Sequence, residues 1–200
     1  MNRRHKGYYA RVTLSVVLFI CTLLSLAAHA EEKKQGFDTT LKHNNVSFHI
    51  ICPNNSSLNM LTIIPAGLSL DNSTITTEID GTVTGVEIDD LNGDGYPEIY
   101  IYVNSAGSGS YASLVAYSSN QNKTISPIYL PPLGDDKLNA KGYMGHDQFA
   151  VLKGELTRRF PVYKENDSNA QPTGGTRQLS YKLVSGEATW TLQLTSSTTF

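Results

Sequence analysis

From residue 46 onwards the chain is a succession of short runs of strand length, broken every few residues by turn-forming pairs. The runs are Val46 to Cys52, Met60 to Ile64, Thr74 to Ile79, Thr82 to Ile88, Glu98 to Val103, Tyr111 to Tyr117, Gln148 to Leu152, Leu156 to Tyr163, Arg177 to Val184 and Thr189 to Leu194. Between them stand Pro53-Asn54-Asn55, Asp80-Gly81, Asn92-Gly93-Asp94-Gly95, Gly174-Gly175 and Ser185-Gly186, which are turn residues by conformational preference. This spacing predicts an all-β sandwich or barrel, and no later segment carries a sustained helical stripe. Helix is expected to be minor. In "EIYIYV", Ile99, Ile101 and Val103 point one way and Tyr100 and Tyr102 the other, so this strand either buries both faces or offers a tyrosine-lined one.

The first thirty residues read differently. Arg3, Arg4, Lys6 and Arg11 precede the apolar stretch Val12 to Leu26, and Ala28-His29-Ala30 supplies a small-x-small cleavage site. This is the pattern of a secretory signal peptide; the run is short for a bilayer span and lacks stop-transfer charges. Ile20 before Cys21 argues against a lipoprotein, where a small side chain is needed. The expected division is therefore a signal peptide at 1–30, a polar leader at 31–45 and one domain at 46–200. Cleavage removes four basic residues and no acid, leaving 12 Lys and Arg against 18 Asp and Glu. The exported chain is acidic, which disfavours nucleic acid and anionic lipid as partners. It also retains Cys52 alone, so no intramolecular disulfide holds it.

"DDLNGDGYPE" places Asp90, Asn92 and Asp94 at alternate positions with Gly95 following, as in the first half of an EF-hand loop. The twelfth position is Ile101, where that loop needs a bidentate Glu, so an EF-hand is excluded. A shorter calcium loop closed by Glu98 and a plain Asn-Gly/Asp-Gly turn both fit, the turn being the simpler. His43, His49 and His146 lack metal-ligand spacing. Cys52 sits in an apolar run with no basic neighbour to activate it, and Asp89-Asp90 and Asp135-Asp136 read as turn residues. Nothing composes a catalytic constellation. The expectation is a non-enzyme without metal or cofactor.

The remaining feature is "NSAGSGSYASLVAYSSN", Asn104 to Asn120, which carries no charge. Gly107 to Ala112 formally fits a G-x-G-x-x-A dinucleotide fingerprint, but strand follows where a helix is required and no acid stands about twenty residues on. What is left is a hydroxyl-rich loop with an aromatic at its end. "SGSY", Ser108 to Tyr111, carries the S-G-x-Y motif, and "DLNGDGYPEIYIYVNSAGSGSYASLVAYS", "GHDQF", "RRFPVYKENDSNAQPTGGTRQLSYKL" and "GEATWTL" follow in order. Over Gly85 to Leu194 the chain resembles the periplasmic inhibitors of invertebrate-type (I-type) lysozyme. Residues 31–79 carry no close resemblance.

The resemblance implies an antiparallel β-sandwich in the periplasm that inserts the S-G-x-Y loop into the lysozyme cleft. Ser108, Gly109, Ser110 and Tyr111 would then be the lysozyme-binding residues. It also implies a homodimer, to which a tyrosine face such as Tyr100 and Tyr102 is expected to contribute. Arg158, Arg159 and Arg177 are candidate further contacts at the cleft edge. The rival reading from another class is a secreted β-sandwich that binds polysaccharide or an adhesion partner through exposed tyrosines.

Overall fold

The computed structural model describes residues 36–200. The signal-peptide reading of residues 1–30 lies outside the described residues, as does the first part of the leader at 31–35. Four strands, β1 (Phe37–His43), β2 (Val46–Cys52), β3 (Leu58–Ala66) and β4 (Ile75–Asp80), form an antiparallel meander. Eight more form a second sheet: β5 (Thr82–Asp89), β6 (Glu98–Asn104), β7 (Ala112–Asn120), β8 (Thr124–Tyr129), β9 (Gln148–Leu152), β10 (Glu155–Pro161), β11 (Thr176–Ser185) and β12 (Trp190–Thr199). Their spatial order is β5-β6-β7-β8-β12-β11-β10-β9. All neighbours are antiparallel except β8 and β12, which share two parallel pairs, Ile128 with Trp190 and Thr191 with Tyr129. Among the described residues the only named helical element is a 3-10 turn at Leu133–Asp135.

The second sheet curls until its edges nearly meet. The Glu87 carboxylate on β5 accepts the Val151 amide of β9 at 2.5 Å and the Tyr102 hydroxyl at 2.6 Å. One side chain thus ties the seam of a near-closed barrel. The antiparallel all-β expectation is met, with one layer rolled up instead of open.

Two cores follow from this arrangement. Val46, Phe48, Ile50 and Cys52 of β2 pack with Leu61, Ile63 and Ile79 against Val83, Ile99, Ile101 and Val103, filling the space between the meander and the outside of the barrel. Tyr100, Tyr102, Phe149, Leu156, Phe160, Leu179, Tyr181 and Leu192 fill the barrel. β6 serves both cores, so every residue from Glu98 to Val103 is buried. Tyr100 and Tyr102 are therefore interior residues, 0% and 8% exposed. The expectation that they form a dimer face is corrected: alternation sent them into the barrel, where their rings fill volume.

Two strands depart from the sequence reading. Residues 37–43, read as polar leader, pair with β2 along their whole length, from Phe37 with Cys52 to His43 with Val46. Phe37, Thr39 and Leu41 are half-buried while Asp38, Thr40 and Lys42 are exposed; an edge strand with threonine facing inward carries too little apolar signal, and its charged outer residues suit a sheet edge. β8 was hidden by Pro127, which demotes a run in sequence because proline donates no ladder hydrogen bond. Here it lies opposite Tyr117.

Candidate functional site: the loop between β6 and β7

Asn104 ends β6 and Ala112 begins β7, and the uncharged loop between them is closed at its base. The Ser105 amide donates to the Tyr111 carbonyl at 2.9 Å, and the Tyr111 amide donates back to Ser105 Oγ at 3.0 Å. Within that frame the Ser110 amide donates to the Gly107 carbonyl at 2.9 Å, making a tight turn with Ser108 and Gly109 at its centre. Ser108 is exposed, Gly109 and Ser110 are half-buried, and the Tyr111 side chain is 49% exposed. The four motif residues stand together where β6 turns into β7.

The motif glycine has a steric cause that differs from conformational freedom. Neither Gly107 nor Gly109 takes a positive φ; Ser110 does, at 42°. A Cβ on Gly109 would stand 2.5 Å from Cε2 of the Tyr111 ring, closer than carbon atoms approach. The tyrosine folds back over the glycine. Glycine is required because the ring occupies the place of a side chain.

The ring is backed from the other side by the segment Asn139 to Asp147. Tyr143 meets Tyr111 edge-to-face, with centroids 5.6 Å apart and planes at 74°, and meets Phe160 at 4.8 Å and 71°; such T-shaped pairs suit the ring quadrupoles. The His146 amide donates to the Gly109 carbonyl at 2.7 Å. Gly145 lies so near that a Cβ there would stand 2.0 Å from the same carbonyl oxygen, and its φ is +89°. Here glycine is needed on both counts.

Beneath this contact lies a buried polar network. Asp147, 1% exposed, accepts the Ala112 amide on Oδ1 at 2.7 Å and, on Oδ2, the Tyr143 hydroxyl at 2.9 Å and Arg158 Nε at 2.6 Å. An Arg158 terminal nitrogen pairs with the same Oδ2, and Arg158 Nη2 donates to the Tyr143 hydroxyl at 2.8 Å. The guanidinium also lies 5.1 Å from the Tyr143 ring centroid and 5.2 Å from that of Phe149. Burial, above all, raises the Tyr143 phenol far above its ordinary value, so it stays protonated and donates to Asp147.

The candidate arginines are thereby placed. Arg158, a candidate further contact, is 6% exposed and committed to Asp147, so its guanidinium is buried behind the loop and not presented at the surface. Arg159 is exposed and donates to Gln178 at 2.6 Å across the β10–β11 pair. Arg177 Nη1 donates to the carbonyls of Asn139 at 2.8 Å and Lys141 at 3.0 Å. Sequence reading missed Tyr143 and Asp147 altogether. "GHDQF" carries no local sign of this role, because only the folded chain brings Asp147 to Ala112.

The acidic turn is self-satisfied. Asp90 accepts the amides of Gly93 and Asp94 on Oδ1 and of Gly95 on Oδ2, and Asn92 and Asp94 each accept an amide two residues on. Glu98, fully buried, accepts the Leu91 amide at 2.8 Å and the Ser118 hydroxyl at 3.0 Å. Burial pushes its carboxyl up to about 7, against these two hydrogen bonds and helped by the charges of Asp94 and Asp90. Among the described residues no group of three or more His, Cys, Asp or Glu is placed to hold a metal ion. Cys52 is a free, buried thiol in the core between the two sheets.

No curated protein matches the chain. The stretch at residues 70–130, which contains β4 to β8, the acidic turn and the whole β6–β7 loop, matches the family model described as the periplasmic lysozyme inhibitor of I-type lysozyme.

Proposed function

We propose that this chain is a periplasmic inhibitor of I-type lysozyme, and that the loop Ser108 to Tyr111 is the element it inserts into the enzyme's cleft. The observation that carries this reading is a neutral, exposed loop held in one shape, within the stretch that matches an inhibitor family and not an enzyme family. A glycosidase cleft is organised around two carboxylates. A loop that enters it must bring hydrogen-bond donors without negative charge. Ser108 offers its hydroxyl to a catalytic carboxylate, and Tyr111 fills a sugar subsite with its ring while its phenol meets a polar partner. Arg159 and Arg177 add contacts at the rim, and the acidic body of the mature protein steers the encounter with a cationic enzyme. Export by cleavage after residue 30 and assembly as a homodimer belong to the same proposal.

The polysaccharide-binding alternative uses exposed tyrosines as sugar platforms. Tyr100, Tyr102 and Tyr181 are buried in the barrel and cannot serve, whereas Tyr111 and Tyr129 are about half exposed, so experiment must separate the two readings. The deciding experiment mixes the mature protein with I-type lysozyme on cell-wall substrate, alongside lysozymes of other classes. Stoichiometric loss of lysis is expected with the I-type enzyme. A chain that binds the cell wall without stoichiometric effect on the enzyme overturns the reading.

A further inference from the structure

The segment from Asn139 to Asp147 makes neither helix nor strand beyond a single bridge from Tyr143 to Val162, yet it is fastened at both ends. Arg177 holds the carbonyls of Asn139 and Lys141, and Arg158 holds Asp147. Between these anchors, three contacts run to the β6–β7 loop: Tyr143 on the Tyr111 ring, the His146 amide on the Gly109 carbonyl, and Asp147 Oδ1 on the Ala112 amide. The loop's own hydrogen bonds close it but do not orient it on the barrel. These three do.

A pair buried as deeply as Arg158 and Asp147 is a weak source of net stability, because desolvation offsets the attraction. Its geometry is directional. Arg158 directs Nε and a terminal nitrogen at one oxygen of Asp147, which leaves the other aimed at the amide immediately after Tyr111. The Tyr143 hydroxyl donates to Asp147 and accepts from Arg158, and this fixes the ring that backs Tyr111.

We infer that Tyr143, Asp147 and Arg158 are positioning residues that form a rigid bracket presenting Gly109 to Tyr111 in a single conformation. The binding loop is then ordered before it meets its target, and association is spared the entropy of ordering it. The consequence for inhibition rests on the lysozyme reading; the bracket itself is a property of the free protein.

The test compares Tyr143→Leu, which removes ring and hydroxyl, with Tyr143→Phe, which removes the hydroxyl alone. Amide exchange of Ala112 and His146 is measured in the free protein against the slowest amides of β10 and β11, and inhibition of I-type lysozyme is measured in parallel. Tyr143→Leu is expected to speed exchange at Ala112 and His146 at least tenfold while the barrel amides hold, and to weaken inhibition at least tenfold. Tyr143→Phe should fall between parent and Tyr143→Leu on both readouts, and it carries the test by itself if Tyr143→Leu does not fold. Exchange that rises only in step with the barrel amides marks a merely structural network and overturns the proposal. So does parental inhibition by a protein whose loop exchange has risen. Tyr111→Ala separates the two claims: if it inhibits at full strength the lysozyme reading of the loop falls, while the exchange data still decide the bracket.

Discussion

Ser108 and Tyr111 divide the proposed contact between a hydrogen bond and a ring, and the division is measurable. Ser108 is exposed, so Ser108→Ala should leave the melting temperature unchanged and weaken inhibition by roughly 1.5–3 kcal/mol, the worth of a hydrogen bond to a charged group. Ser108→Asp should be worse than alanine, since it places a third carboxylate beside two. Tyr111→Ala should cost about 2 kcal/mol or more of binding, as an aromatic anchor does. The two glycines at the site should separate cleanly. Gly109→Ala pushes against the edge of the half-exposed Tyr111 ring and drives it off its bracket, so inhibition should suffer more than stability. Gly145→Ala pushes against a backbone carbonyl and at a positive φ, so a loss of stability of about 1–3 kcal/mol, read as a lower melting temperature, should accompany any loss of binding. The motif was legible in sequence; the reason for its glycine was not. It depends on a ring that folds back because Tyr143 stands behind it.

At the scale of elements, the turn between β5 and β6 sets a pH dependence. Glu98 is neutral-preferring in the fold, its carboxyl raised from 4.5 to about 7 by burial. Its protonated form therefore contributes stability that is fully present below about 4.5 and lost as pH rises through about 7, a span that corresponds to at most roughly 3 kcal/mol. Glu98→Gln should flatten the stability profile across that window and exceed the parent above pH 7, as denaturant unfolding at pH 5 and pH 8 will read. Because Asp90, Asn92 and Asp94 satisfy the turn's own amides, melting with and without a calcium chelator should coincide. A rise in melting temperature on adding calcium overturns the turn reading. Most strands were legible to within a few residues, since alternation and turn pairs are local signals. β1 and β8 were not, because an edge strand fronted by Thr39 and a strand containing Pro127 are held by their neighbours, β2 and β7.

For the whole molecule, closure of the barrel rests on Glu87 more than on any ladder between β5 and β9. Removing the carboxylate in Glu87→Ala strips the Val151 amide and the buried Tyr102 hydroxyl of their acceptor. A loss on the order of 2–4 kcal/mol should follow, read as a lower denaturant midpoint. The amino-acid sequence by itself determined the all-β class, the neutrality of the loop and the resemblance that points to a lysozyme cleft. All of these follow from periodicity, composition or contiguous residues. Only the tertiary structure decided that the tyrosines of β6 turn inward, that the second sheet rolls into a barrel, and that Arg158 lies buried against Asp147. It also placed a segment some thirty residues further along the chain beneath the loop. Those outcomes depend on which non-neighbouring residues share a volume and satisfy one another's polar groups, and sequence spacing carries no record of such distances.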